Sequence, residues 1–187
     1  MDVLKRRRRR GCAAVMVMIL FALAASRVLA ETRQEYGIKA AFLLQFTRFV
    51  TWPEPPSGPA ATAPFIVGVV GKDPFGPALD AIMNGQLVGD RKIGVRRFAS
   101  WTDVTSCDLL YVSASVERET TDTELARFRG MLTISDQPRF CERGGGIRFF
   151  LRNQKVRFEI NPAACEKSGL KVRSQLLQLA QVYPHAR

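Results

Sequence analysis

Apolar and polar positions alternate along Val156–Ile160: Val156, Phe158 and Ile160 fall on one side, Arg157 and Glu159 on the other. That is the period of a half-buried strand. The run before it, Ile147–Leu151, breaks the alternation with two adjacent rings, Phe149 and Phe150. Successive strand residues point to opposite faces, so each face receives one ring. Such a strand is either covered on both sides or presents one ring to a partner. Asn153-Gln154 and their flanks separate the two runs, a connection short enough for an antiparallel hairpin. Asn161-Pro162 ends the second strand, because proline cannot continue a ladder.

The rest of the chain is organised towards this hairpin. Over Tyr36–Pro53, Ile38, Phe42, Phe46 and Phe49 recur at helical spacing, and Leu43 and Val50 widen the apolar surface. Lys39, Gln45 and Arg48 leave only a narrow polar side, which predicts a helix in the core with some surface to spare for a protein contact. Trp52-Pro53 stops it. After a Pro/Ala/Gly loop, Glu54–Pro64, the pattern predicts strands at Phe65–Val70, Ile93–Phe98, Leu109–Val112 and Met131–Ser135. Helices are predicted at Pro74–Met83 and Glu117–Phe128, a helical turn at Pro162–Glu166 and an amphipathic helix at Ser174–Tyr183. Strands alternating with helices imply right-handed crossovers. The expected fold is a single-domain, three-layer α/β sandwich over residues 31–187. Its sheet would be mostly parallel and Rossmann-like, with the hairpin adding antiparallel strands at one side.

Charge changes the picture only at the N-terminus. The 187-residue chain carries a net +11. Residues 1–30 hold seven cations against Asp2, or +6, which leaves +5 for the remainder. Those cations are scattered singly among acids, unlike the clustered basic face of a nucleic-acid binder. The N-terminal cations instead form KRRRRR at Lys5–Arg10, followed by the apolar run Cys12–Ala25 and by Val28-Leu29-Ala30. This is the layout of a secretory signal peptide cleaved after Ala30, and the run is shorter than a membrane-spanning helix requires. Cys12 precedes the apolar run and is badly placed for lipid attachment.

Export gives meaning to the three remaining cysteines, Cys107, Cys141 and Cys165. One disulfide is expected in an oxidising compartment, with three pairings open and one thiol left over. No CxxC occurs, and His185, the chain's single histidine, does not complete a zinc set. Gly71, Lys72 and Gly76 lie in a strand-to-helix turn that could hold an anion, although the spacing fits no phosphate loop. Arg143 with Gly144 and Gly145 forms a second glycine-rich loop that could admit a small ligand. No nucleophile–base pair emerges, and no cofactor motif. A non-enzyme is expected.

The ordered pieces KAAFLLQFTRFVTWP (Lys39–Pro53), FIVGVVGKDPFGPALD (Phe65–Asp80), CDLLYVS (Cys107–Ser113), MLTISD (Met131–Asp136), FCERGGGIRFF (Phe140–Phe150), VRFEIN (Val156–Asn161) and SGLKVRSQLLQLA (Ser168–Ala180) together resemble the YfiR/HmsC-like family of exported bacterial proteins. The resemblance implies a periplasmic α/β regulator, often dimeric. It would restrain an inner-membrane diguanylate cyclase by contacting the cyclase's periplasmic portion, so limiting cyclic di-GMP and biofilm matrix. It would meet the membrane only through that partner and bind no nucleic acid. Arg143, Phe149, Phe150, Arg157 and Glu159 are the expected contact residues, with one ring as anchor and Glu159 as an orienting group. A small-molecule sensor using Gly71, Lys72, Gly76, Gly144 and Gly145 is the alternative.

Overall fold

Runs of β-branched and aromatic residues, cut by glycine and proline, give one mixed eight-stranded sheet. The computed structural model describes residues 31–53, 63–116 and 130–185. The expected signal peptide, the helix expected at Glu117–Phe128 and most of the loop Glu54–Pro64 lie outside these. Residues 31–36 are helical and are grouped apart from the main body, Gly37–Arg187. That body begins with helix α1 (residues 37–49), followed by β1 (Val50–Thr51), β2 (Phe65–Val70) and α2 (Pro77–Met83). Next come β3 (Leu87–Val88), β4 (Arg91–Phe98), β5 (Leu109–Val112), β6 (Leu132–Ser135) and the hairpin β7 (Ile147–Arg152) and β8 (Lys155–Ile160). The chain closes with α3 (Pro162–Lys167), β9 (Lys171–Val172), α4 (Ser174–Leu179) and β10 (Gln181–Val182).

The sheet order is β10-β8-β7-β6-β5-β2-β4-β3. Its centre, β7-β6-β5-β2-β4, is parallel, while β8 pairs antiparallel with β7 and β3 antiparallel with β4. This is the mixed α/β sandwich that the alternation of elements predicts. The buried strands β2, β5 and β6 read as continuous apolar runs, as strands covered on both faces do.

On one face, α1 and α2 close the core. Phe42 and Phe46 of α1 meet Phe149 and Phe158 of the hairpin with centroids 5.2 to 6.1 Å apart. Phe75, just before α2, packs edge-on against Tyr111 at 4.7 Å. On the other face Ile66, Val70, Phe98, Leu110, Val112 and Phe140 form a second cluster. Lys39 crosses from α1 to the loop after β6 and bonds Asp136 at 2.9 Å with its side chain 3% exposed.

Strand ends shift by one or two residues from expectation, and three helices differ in more than that. The first helix stops at residue 49, and Val50–Thr51 becomes β1, paired antiparallel with β9. The second helix starts at Pro77, since proline suits a first helical turn. Ser174–Tyr183 is not one helix: Ala180 turns extended at φ −94°, ψ 158°, and Gln181–Val182 becomes β10 beside β8.

Candidate functional site

The hairpin register fixes which side chains share a face. Ile147, Phe149 and Leu151 stand opposite Ile160, Phe158 and Val156, while Arg148, Phe150 and Arg152 stand opposite Glu159, Arg157 and Lys155. The tight turn at Asn153 and Gln154 has φ of 51° and 59°, the paired positive values of a two-residue hairpin loop. The first set faces α1. The second forms the opposite face, and five of its six side chains are basic or acidic.

The two adjacent phenylalanines therefore part company. Phe149 is fully buried against Phe46, while Phe150 is half-buried with the Arg148 guanidinium 5.0 Å over its ring. Phe149 is a core residue and is not available at the surface as an anchor. Glu159 is also withdrawn, only 3% exposed. Its carboxylate takes Arg148 Nε at 2.7 Å on one oxygen and lies 2.9 Å from His185 Nε2 on the other. It orients the hairpin and the C-terminal segment rather than facing a partner. Arg143 is committed to its own loop, where its guanidinium donates to Gln137 Oε1 at 3.0 Å and to the Pro138 carbonyl at 3.2 Å.

Phe150 and Arg157 remain outward, and two residues that sequence reasoning passed over join them, Arg152 and Lys155. With Leu179 and Gln181 from the C-terminal segment they line an open groove of about 510 Å³. Leu179 is 71% exposed. No acidic side chain lines the groove. Its second wall depends on β10, so it could not be read while Ser174–Tyr183 counted as a helix. The signal that was present is the extended-favouring Val182-Tyr183 pair just before Pro184.

The glycine loops are filled from within. Gly71 sits at φ 87°, and a Cβ there would come within 2.5 Å of Val116. Its N–H donates to the Phe98 carbonyl, the Lys72 N–H to Ser115 Oγ, and the Phe75 N–H to Asp73 Oδ1. The Gly76 carbonyl accepts from Arg97, whose guanidinium also pairs with Asp73 and Asp80. These carboxylates hold Arg97 well above its ordinary pKa, and Arg97 in turn lowers that of Asp80. In the second loop the Gly144 and Gly145 N–H groups bond the Cys141 and Phe140 carbonyls. A Cβ on Gly145 would lie 2.2 Å from the Phe140 ring. Gly71 and Gly145 serve close packing, and the N–H donors of Gly71, Lys72, Phe75, Gly144 and Gly145 are occupied within the loops.

The expected disulfide is absent: Cys107, Cys141 and Cys165 are free, buried thiols. Cys107 lies beside Gly68 of β2, whereas Cys165 lies beside Gly146 at the start of β7. Three strand spacings separate β2 from β7, roughly 14 Å, too far for a bond. Cys141 and Cys165 each reach the Gly146 carbonyl, at 3.9 and 4.0 Å, as thiols. Burial pushes the pKa of Cys107 and of Cys165 up to about 12, and burial followed by the Glu159 charge pushes Cys141 up as well. None is a poised nucleophile. Among the described residues no helix is long and apolar enough to cross a membrane.

No curated protein matches the chain. A family model described as YfiR/HmsC-like matches residues 36–181, from the residue before the main body to the first residue of β10. The chain belongs to the YfiR/HmsC-like family, whose members are regulators rather than enzymes.

Proposed function

We propose that this is a periplasmic regulatory protein that represses an inner-membrane diguanylate cyclase by protein–protein contact, limiting cyclic di-GMP and biofilm formation. Family membership supports the regulatory role in cyclic di-GMP signalling. The signal-like N-terminus supports export.

The observation that carries the contact is the outer face of the hairpin. Phe150 lies half-exposed beside Arg152, Lys155 and Arg157, at a groove with no acid of its own. An aromatic ring that can be desolvated, ringed by cations, is the composition of an interface anchor with a polar rim. The cations would steer an acidic patch of the cyclase's periplasmic portion and make the association weaken with salt. The part-buried Arg148–Glu159 pair sets Arg148 over the ring and holds it in place.

The test is cellular cyclic di-GMP after deletion of the gene, with and without complementation by the exported protein. A rise reversed only by the exported form is the expected result. An unchanged level, with the cyclase present and active on its own, would contradict the proposal.

A further inference from the structure

The edge of β8 carries more than side-chain information. The Tyr183 N–H donates to the Ile160 carbonyl at 2.7 Å on the β10 side, whereas the Asn161 N–H donates to Gly146 at 2.8 Å on the β7 side. Peptide groups alternate along a strand, so those of Ile160, Phe158 and Val156 point to the outer edge. β10 is registered only against Glu159 and Ile160. That register engages the Phe158 carbonyl, and beyond it, among the described residues, no strand lies beside Lys155–Arg157, so the open groups are the Phe158 N–H and the Val156 N–H and carbonyl. The open edge runs along the groove described above.

We propose that this edge of β8 accepts an extended acidic segment of the partner as an added strand, continuing the sheet where β10 stops. The proposal rests on the contact reading above and specifies how that contact is made. Strand addition takes its affinity from main-chain hydrogen bonds and its specificity from alternate side chains. Lys155 and Arg157 would meet acids at alternate positions on one face, with Arg152 adjacent. None of the three forms an ion pair among the described residues.

Two other readings of the edge are weaker. Lysine on an edge strand commonly serves only to discourage aggregation. A merely guarded edge has no use for a concave seat, yet here the groove has Leu179 on its far wall, 71% exposed. A second copy of the chain is the other candidate. An isologous antiparallel pairing of β8 with itself sets the same basic stretch against its own copy, and like charges opposite one another destabilise a ladder. Charge complementarity selects an acidic occupant.

The experiment uses fluorescence anisotropy of the full chain with a dye-labelled peptide of alternating glutamate and valine. Three further probes accompany it: one N-methylated at the valines, one N-methylated at the glutamates, and one with lysine replacing glutamate. A strand directs alternate N–H groups to the same neighbour, so one methylated isomer should lose about tenfold or more in affinity while the other binds as the parent does. The lysine peptide should not bind. Val156→Pro, which removes an outward N–H at an edge where proline is tolerated, should weaken binding comparably. Arg157→Glu should abolish it. Equal binding of both methylated isomers would reduce the edge to a charge patch and overturn the proposal, as would equal binding of the lysine peptide or no binding at all. The peptide result is independent of the deletion experiment. A deletion that leaves cyclic di-GMP unchanged counts against the regulatory reading, whereas failed peptide binding counts against the added strand.

Discussion

Arg148 and Glu159 face each other across the hairpin and close a salt bridge of 2.7 Å whose carboxylate is almost wholly buried. The same carboxylate lies 2.9 Å from His185, so one acid ties β7, β8 and the C-terminal segment together. Arg148 then spreads over Phe150, which fixes the height of the ring at the groove.

Removing that acid leaves Arg148 Nε and the facing His185 Nε2 without the carboxylate they meet. Glu159→Ala is expected to lower stability by about 2 kcal/mol, since breaking one side of a buried charge-assisted bond costs more than the bond contributes. Urea denaturation measures it. A loss no larger than that of an exposed substitution such as Lys171→Ala would show that the pair does not hold the hairpin.

The hairpin turn offers a change in the other direction. Gln154 adopts φ 59°, where a side chain is strained and glycine is not. Gln154→Gly should raise stability by about 0.5 to 1 kcal/mol. A melting temperature that falls instead would mean that the Gln154 side chain makes a contact that outweighs the backbone strain.

Gly145 tests the packing account of the second glycine loop. Gly145→Ala would drive a methyl group into the buried Phe140 ring, and overpacking of this kind typically costs about 1 to 3 kcal/mol. The double variant Gly145→Ala/Phe140→Leu should recover part of that loss. Calorimetry of the two variants decides whether the glycine serves Phe140.

The thiols give a pH dependence with a defined sign. In the folded chain Cys107 and Cys165 ionise near 12, against an ordinary value of 9.0. Between about 9 and about 12 the unfolded chain therefore sheds protons that the folded chain keeps, and stability falls as pH rises. Below about 9 the stabilising contribution is fully present. Cys107→Ala should flatten the alkaline limb of a stability–pH curve, and the thiols of the native protein should react slowly with a disulfide reagent at neutral pH. Rapid native-state labelling of all three would contradict their burial.

The central strands were legible because Phe65–Val70 and Leu109–Val112 are unbroken β-branched and apolar runs, which suit a strand covered on both faces. The hairpin was legible from its alternation and its short turn. Ser174–Tyr183 was not: Leu176, Ala180 and Tyr183 keep helical spacing, but pairing with Glu159 and Ile160 draws Gln181 and Val182 into the sheet. Tertiary context also took Val50 and Thr51 from the end of α1, because β9 supplies them with a partner. At the site, alternation could say that Phe149 and Phe150 part, but not which one faces the helix. That depends on Phe42 and Phe46, more than a hundred residues away in sequence. Glu159 reads as a solvent-facing acid for the same reason, since Arg148 and His185 reach it only through register and sheet order.

The most direct test of the account is cellular cyclic di-GMP in a deletion strain complemented with the exported wild-type protein or with Arg152→Glu/Lys155→Glu/Arg157→Glu, the two produced at equal levels and matched in thermal stability. These side chains lie on the exposed face of the hairpin, where charge reversal should leave folding nearly intact. The wild type should return cyclic di-GMP to its original level, and the charge-reversed variant should leave it raised. Full repression by the variant would contradict the claim that the hairpin edge makes the restraining contact.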